Sequence, residues 1–405
     1  RILTLPTGDP RAAELGEISG LAVTGKRACL ALRDRNKILI LDLSANLAGK
    51  SEDMTVIGEI AYPAPGRIRP YGKNKIAIAG RSQLGVADLA SRQVKTVVPD
   101  LVNGYGLDVD RAGNFYVGEL DPVHQVKVFS PSGQLLRTIG KGGRHQLGVF
   151  DPDVLEQPRG IAVDSSGQVW VCEYNSNLKR TSVWDSRGRC VNSVIGPTEY
   201  GGSGAVDPRN PGRFFYRGEE IVREPDGGYR LAGVVWRLDS LLYDAVEPEV
   251  RGHNFHGQSP SYPFYRDGRL FFRMWGGFGM GDFSTLFVYD EERRLVRPVA
   301  AAGVVQPWMR KKFNLPDSER CFAWTDLNDD GRLHADELAT GKLDGLGAVW
   351  GVQMNRDFEL AFSNVHGDIG IAFFHVDHLT EQGYPVWRIP EAYVPVPRLT
   401  AHDPN

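Results

Sequence analysis

The sequence has no apolar stretch of 18 residues, so it predicts no membrane-spanning helix. It also has no excess of basic residues, since 47 Lys and Arg are interspersed with 50 Asp and Glu. A nucleic-acid partner is therefore not expected, because such a partner requires a concentrated basic face.

Several motifs of catalysis and cofactor binding are missing as well. The chain contains no Gly-x-Ser-x-Gly elbow, P-loop, Rossmann fingerprint or Cys-x-x-Cys pair. Nucleophilic hydrolysis, nucleotide chemistry and dithiol redox chemistry therefore have no support. Only four cysteines occur, and they lie far apart or on strands that are not neighbours, so we expect buried thiols rather than disulfides.

Residues that break regular structure are abundant, with 47 Gly and 25 Pro and no collagen-like period. Apolar residues still form 41% of the chain, which is enough for a substantial core. Many tight turns between short apolar runs are typical of an all-β protein.

An internal repeat links residues 104–140 and 158–196. The matched positions are Gly106 with Gly160, Asp110 with Asp164, Gly113 with Gly167, Glu119 with Glu173, Phe129 with Trp184, and Gly133 with Gly188. Each copy divides into four strands, such as GIAV, QVWVCEY, RTSVWD and RCVNSVI, separated by Asp-x-x-Gly turns. One such sheet cannot cover both of its faces, whereas a ring of them does, so the pattern predicts a β-propeller.

This four-strand unit resembles the NHL-repeat family of propellers, and weaker copies occur at residues 18–63, 69–98, 203–240, 256–300 and 346–389. The resemblance implies a single propeller domain over residues 1–405 with four-stranded antiparallel blades. Seven blades are favoured over six, and strand Arg1–Pro6 would complete the last. The stretch 182–218 is also similar to large bacterial NHL-repeat proteins of the Planctomycetes type, in which an acidic loop interrupts the propeller.

The acidic loop of this chain lies at residues 326–337, within a predicted insertion at residues 307–345. Its oxygen donors have the spacing of an EF-hand loop, with Gly331 at the sharp turn. The predicted calcium ligands are the side chains of Asp326, Asn328, Asp330 and Glu337 and the backbone carbonyl of Arg332. The preceding CFAWT is typical of a strand, and one short helix is expected near residues 335–340. A solvated turn without an ion is the alternative.

Two further groups are candidates for ligand binding. Glu119 and Glu173 end the second strand of successive repeats, where they either bind a metal or cationic ligand at the central channel or pair with neighbours such as Arg180. The polar and aromatic segment around His253 and His256, with Arg273 after it, offers groups for acid–base chemistry or sugar contacts. An ordinary surface loop is the alternative for these histidines.

Two functions fit these observations. The first is a calcium-binding recognition module whose top face takes a glycan or a protein. The second is a metal-dependent hydrolase or lyase, similar to gluconolactonase-type propellers, with its site at the central channel. An extracellular or periplasmic location is expected, because a single EF-hand-type loop suits millimolar calcium.

Overall fold

The fold of the chain is given by a computed structural model. The structure describes residues 16–44, 55–173, 178–196, 204–216, 218–236, 260–274, 283–364 and 370–396. Two compact units are present, the first formed by residues 1–145 and 151–198 and the second by residues 146–150 and 199–405. The single-domain organisation stays a prediction.

The described residues of the first unit form four antiparallel sheets of four strands each, in sequence order. Sheet 1 is Ile18–Thr24, Arg27–Leu32, Lys37–Asp42 and Thr55–Ala61, and sheet 2 is Pro65–Pro70, Lys75–Gly80, Leu84–Asp88 and Val94–Val98. Sheet 3 is Gly104–Val109, Phe115–Glu119, Gln125–Phe129 and Leu135–Ile139, and sheet 4 is Pro158–Val163, Val169–Glu173, Lys179–Trp184 and Cys190–Gly196. A short 3₁₀ turn, Arg33–Arg35, follows the second strand of sheet 1.

The described residues of the second unit form a five-stranded, a six-stranded and a four-stranded sheet, a hairpin and an α-helix. Sheet 5 is Gly204–Asp207, Asn210–Tyr216, Glu219–Arg223 and Tyr229–Val234, with Gly148–Val149 on its edge. Sheet 6 is Pro260–Arg266, Arg269–Met274, Phe283–Asp290, Leu295–Val304, Cys321–Thr325 and Leu338–Gly341, and sheet 7 is Leu346–Met354, Leu360–Asn364, Gly370–Phe374 and Val394–Pro395. The hairpin is Val376–Leu379 with Pro385–Trp387, the α-helix is Pro307–Phe313, and a second 3₁₀ turn is Ala335–Glu337.

The all-β fold class with four-stranded antiparallel sheets that the sequence predicts is confirmed, because antiparallel sheets dominate the described residues and most have four strands. The blade count stays a prediction. The turns of the repeat also form as expected. Asp164 accepts hydrogen bonds from the amides of Ser166 and Gln168, and Gly167 has a positive φ of 83°. The short polar side chain of the aspartate thus fixes the corner between the first two strands of sheet 4.

The first strands of sheets 1 to 4 approach each other at backbone distance. A Cβ on Gly20 would lie 2.7 Å from the Gly66 carbonyl oxygen, and a Cβ on Gly66 would lie 2.7 Å from that of Tyr105. A Cβ on Gly106 would lie 2.8 Å from the oxygen of Pro158. Only glycine permits these contacts, which explains why the repeat carries it near the start of its first strand.

A half-buried ion pair crosses the same inner strands at their other end. The Asp108 carboxylate accepts bonds from Arg69 Nε at 3.0 Å and from the Val163 amide at 2.7 Å. One side chain of sheet 3 thereby contacts both sheet 2 and sheet 4. These charge-assisted bonds reinforce the packing of the three sheets.

The apolar cores lie between successive sheets. In the first unit, separate clusters fill the spaces between sheets 1 and 2, sheets 2 and 3, and sheets 3 and 4. In the second unit, one cluster fills the space between sheets 5 and 6 and another the space between sheets 6 and 7. Within each unit, successive sheets therefore bury facing apolar surfaces against each other, as the alternating apolar pattern requires.

Three local expectations differ from the structure. The helix expected near residues 335–340 is a 3₁₀ turn at Ala335–Glu337, and Pro307–Phe313 forms an α-helix that was not expected. Pro307 at its first position favours this start, and Met309 anchors it in the core. All four cysteines are free thiols, but Cys172 is exposed and Cys190 half-buried. Arg1–Pro6 lies outside the described residues, and Val394–Pro395 is the fourth strand of sheet 7.

Within the described part of the chain, no helix has both the length and the apolar character needed to cross a membrane.

We expect Gly118→Ala to destabilise the protein by about 3 kcal/mol or more, because its Cβ would lie 2.1 Å from the Pro158 carbonyl oxygen and the strands would have to separate. Gly196→Ala is the control, since its Cβ has nothing closer than 3.6 Å and its stability should change by less than about 0.5 kcal/mol. Denaturant midpoints of the two variants measure the difference. Superimposable unfolding curves would contradict the close approach of sheets 3 and 4.

Candidate functional site

The predicted calcium loop connects two paired strands of sheet 6. Asp326 follows the strand Cys321–Thr325 directly, and Glu337 precedes the strand Leu338–Gly341. These strands are antiparallel neighbours, with Trp324 opposite Leu338. The strand predicted for CFAWT is therefore confirmed, and the loop lies between strands rather than between helices.

Asx turns shape the first half of this loop. Asp326 accepts hydrogen bonds from the amides of Asp330 and Gly331, at 3.0 and 2.9 Å. The side-chain oxygen of Asn328 accepts from the Asp330 amide at 3.0 Å, and Asp330 accepts from the Arg332 amide at 2.8 Å. Gly331 has a φ of 71°, which supplies the sharp turn. The loop therefore bends around the side chains that the spacing predicts as ligands.

Glu337 closes the loop from its other end. Its carboxylate is 8% exposed and accepts bonds from the amides of Leu327, Asn328 and His334, at 2.9, 3.3 and 3.2 Å. The indole nitrogen of Trp324 donates a fourth bond at 3.0 Å. These four donors use the lone pairs of both carboxylate oxygens. Glu337 thus ties the two ends of the loop together in this structure.

Arg297 supplies the positive charge nearest to the loop's buried carboxylate. Its guanidinium lies 2.6 Å from Asp326 Oδ2 and also bonds Asp329 and the Tyr384 hydroxyl. Burial raises the pKa of Asp326, and the adjacent guanidinium opposes that rise. Arg297 therefore partly offsets the cost of burying an acid at this position.

Calcium ligation by the full predicted set requires a rearrangement of this loop. Within the described residues, no three His, Cys, Asp or Glu side chains are grouped so that they could hold one ion. Asp326 Oδ1, Asn328 Oδ1 and Asp330 Oδ1 each accept one amide bond and have a second lone pair for a cation. Glu337 would have to exchange amide donors for the ion. The first three residues fit a hard cation, whereas the fourth fits it only after that exchange.

Glu119 and Glu173 lie at equivalent ends of sheets 3 and 4, and both carboxylates are buried and paired. Glu119 accepts from the Val102 amide at 2.7 Å, and its other oxygen lies 2.5 Å from Lys127 Nζ. Because the Glu119 carboxylate is buried and paired with a lysine on the adjacent strand, we interpret it as a group that stabilises sheet 3.

Glu173 is held in the same manner by groups of sheet 4 and the loop before it. Arg180 Nε lies 3.1 Å from one oxygen, and His145 Nε2 lies 3.0 Å from the other, which also accepts from the Glu156 amide at 2.7 Å. The pairing with Arg180 corresponds to the alternative weighed from the sequence, in which each acid pairs with a neighbour.

Of the remaining candidates from the sequence, only Arg273 lies within the described residues. His253 and His256 lie outside the described residues. Arg273 donates to the Gln353 side chain at 2.9 Å and to the Met354 carbonyl at 2.8 Å, and its guanidinium lies 4.8 Å from the Tyr262 ring centre. Burial lowers its pKa. In this arrangement Arg273 joins sheet 6 to sheet 7.

Glu219, at the start of the third strand of sheet 5, was not singled out from the sequence. It is 1% exposed, and its Oε1 accepts no hydrogen bond from any residue that the structure describes. Burial raises its pKa to about 8. The adjacent Glu220, in contrast, is paired with Arg213 at 2.8 Å. No local sequence signal separates the two acids, because the distinction comes from which face of the strand each side chain occupies.

We expect Glu219→Gln to stabilise the protein increasingly between pH 4.5 and pH 8. The carboxyl ionises at its ordinary value of 4.5 when unfolded and near pH 8 when folded, so in this interval the folded state binds more protons and loses stability as the pH rises. The neutral amide removes that loss, on the order of 4 kcal/mol at pH 8. Melting curves across this pH range, with the exposed Glu292→Gln as control, measure the effect. Parallel pH profiles for wild type and Glu219→Gln would contradict it.

The NHL repeat model matches residues 155–178, which include the first two strands of sheet 4. A B-box type zinc finger protein, ncl-1 of Caenorhabditis elegans, is 34% identical over 79 residues, a match that spans 20% of this chain and 8% of that protein.

Solved structures similar to the chain include a hydrazine synthase of Kuenenia stuttgartiensis, with 15% identity and a TM-score of 0.37 over 88% of this chain and 96% of that one. A streptogramin B lyase has 11% identity and a TM-score of 0.33 over 85% and 89% of the two chains. The described residues form an all-β protein of mostly four-stranded antiparallel sheets, and an NHL repeat is matched at residues 155–178, in agreement with the repeat predicted from the sequence.

Proposed function

We propose that the chain is a calcium-binding recognition module of the NHL type, which acts outside the cytoplasm on a glycan or protein ligand. The observation that supports calcium binding most directly is the set of amide bonds accepted by Asp326, Asn328 and Asp330, the last two in Asx turns, which gathers three side-chain oxygens around one bend. Oxygen donors at this spacing suit a hard divalent cation.

The ion would be held by Asp326, Asn328, Asp330 and Glu337 and by the carbonyl of Arg332. Its two positive charges would relieve the mutual repulsion of acids crowded into twelve residues. Leu333 is 5% exposed and packs in the same cluster as Trp324 and Met309, so an ordered loop is coupled to the core between sheets 5 and 6. Binding only to the folded loop would stabilise the second unit by mass action.

A recognition role is favoured over a metal-dependent hydrolase or lyase by the pairing of Glu119 and Glu173. The enzymatic alternative requires these acids to be available for a metal, whereas Lys127 and Arg180 already neutralise them. An extracellular or periplasmic location follows from the millimolar calcium that a single loop of this kind requires.

We expect calcium to raise the melting temperature of the wild type by a few degrees, because a concentration of about 100 times Kd adds about 2.7 kcal/mol. Asp330→Ala should lose most of this increase, since it removes an exposed ligand oxygen. Asp336→Ala is the matched control, because it removes a neighbouring exposed acid at a position without a predicted ligand role. Glu337→Ala is less informative, since the loss of a carboxylate with four N–H donors destabilises the loop with or without the ion.

Calorimetry and native mass spectrometry give the stoichiometry of the same variants. One ion bound to the wild type and to Asp336→Ala, but not to Asp330→Ala, is the expected result. Identical melting in calcium and in chelator, with no ion taken up, would reduce the loop to a solvated turn. A second ion that persists in Asp330→Ala would favour the enzymatic alternative.

A further inference from the structure

Arg297 lies on the fourth strand of sheet 6, which pairs with the strand that leads into the acidic loop. Its guanidinium contacts two acids of that loop: Nη1 lies 2.6 Å from Asp326 Oδ2, and Nη2 contacts Asp329 Oδ1. The Asp326 side chain is fully buried, and that of Arg297 is 24% exposed. Arg297 therefore neutralises part of the negative charge that a bound cation would otherwise neutralise.

The buried Tyr384 hydroxyl holds this guanidinium beside the loop. It accepts a hydrogen bond from Arg297 Nη2 at 2.9 Å and donates one to Asp329 Oδ1, also at 2.9 Å. Arg269, on the second strand of sheet 6, donates to the same hydroxyl at 3.1 Å. One donated and two accepted bonds use the full capacity of a phenolic oxygen. The Arg297 charge is thus fixed in position and does not swing away freely when the loop binds an ion.

The two oxygens of Asp326 have different partners. Oδ2 accepts from Arg297 Nη1 at 2.6 Å and from the Gly331 amide at 2.9 Å, whereas Oδ1 accepts from the Asp330 amide at 3.0 Å and has a second lone pair for a cation. Arg297 therefore leaves the ligand oxygen open but places a positive charge on the same carboxylate. A cation at Oδ1 would be repelled by that charge, and the repulsion increases in proportion to the charge of the ion.

We propose that Arg297 sets the affinity and the charge selectivity of the acidic loop: it weakens the binding of calcium, and it weakens the binding of a trivalent ion more. This role rests on the calcium site proposed above. The same contact stabilises the ion-free loop and lowers the free energy gained when an ion binds, so the site responds to calcium in the millimolar range. If Arg297 only oriented Asp326 for ligation, its removal would weaken ion binding instead.

Arg297→Gln tests this role, because the amide keeps a hydrogen-bond donor for Asp326 and removes the charge. In calorimetric titrations we expect the affinity for calcium to rise about tenfold and that for terbium about thirtyfold, since the lost repulsion scales with ion charges of two and three. The melting temperature in chelator should fall, because the buried Asp326 loses its charged partner.

Arg269→Gln is the matched control. It removes an equal charge and a bond to the same Tyr384 hydroxyl, whereas the other bond of Arg269 is to the Gln382 carbonyl rather than to an acid of the loop. Its affinities for both ions should change by less than about threefold, because screening by solvent reduces the effect of a charge that is not in contact with the loop.

A calcium affinity of Arg297→Gln that is equal to or below that of the wild type would overturn the role of Arg297. An equal rise for calcium and terbium would also overturn it, because a change in loop shape does not depend on the charge of the ion. Both results leave the calcium site itself intact, since the wild type still takes up an ion. No uptake by either the wild type or Arg297→Gln would overturn the calcium site and the role of Arg297 together.

Two outcomes cover a variant that folds poorly. If Arg297→Gln folds only in calcium, this supports the role of Arg297, because the ion then replaces the lost charge. If it folds under neither condition, Arg297→Lys decides, since lysine keeps the charge without the planar fork. The calcium affinity of Arg297→Lys should stay within about threefold of the wild type, and a gain of about tenfold would overturn the electrostatic role.

Discussion

The inner strands of the first unit lie with their backbones against each other, at positions where a side chain has no room. Gly20, Gly66 and Gly106 each face a carbonyl or backbone atom of the next sheet. This close approach brings the faces of neighbouring sheets together. Their apolar residues form the three cores that lie between sheets 1 and 2, sheets 2 and 3, and sheets 3 and 4. The bridge from Asp108 to two other sheets depends on the same spacing.

The part of the fold that the sequence predicts is the part determined within one repeat. Alternating apolar residues define the strands of residues 158–196, and Asp164 with Gly167 defines their first turn, because each signal lies within a few residues of the structure it produces. The strand before the acidic loop and the pairing of Glu173 with Arg180 are equally local. The helix Pro307–Phe313 was not predicted, because its position depends on the packing of Met309 in a core that other sheets form.

Side chains whose environment comes from distant segments could not be predicted. Arg297, on a strand 29 residues earlier in the chain, contacts Asp326. The Tyr105 ring contacts arginines from three other sheets. Glu219 and Glu220 are adjacent in sequence, yet one is unpaired at its Oε1 and the other lies in an ion-pair network. Electrostatic character at such positions is a property of the assembled sheets, since burial and partners both arise from tertiary packing.

Sheet 6 has two strands beyond the four of an ordinary repeat, and they are added on the side away from its first strand. The backbone ladder of the sheet therefore continues outward through Cys321–Thr325 to the four-residue strand Leu338–Gly341. A short final strand offers little template for another chain, which limits edge-to-edge aggregation. The acidic loop between these two strands thus lengthens the ladder at its outer edge, and the order of the four strands before it is preserved.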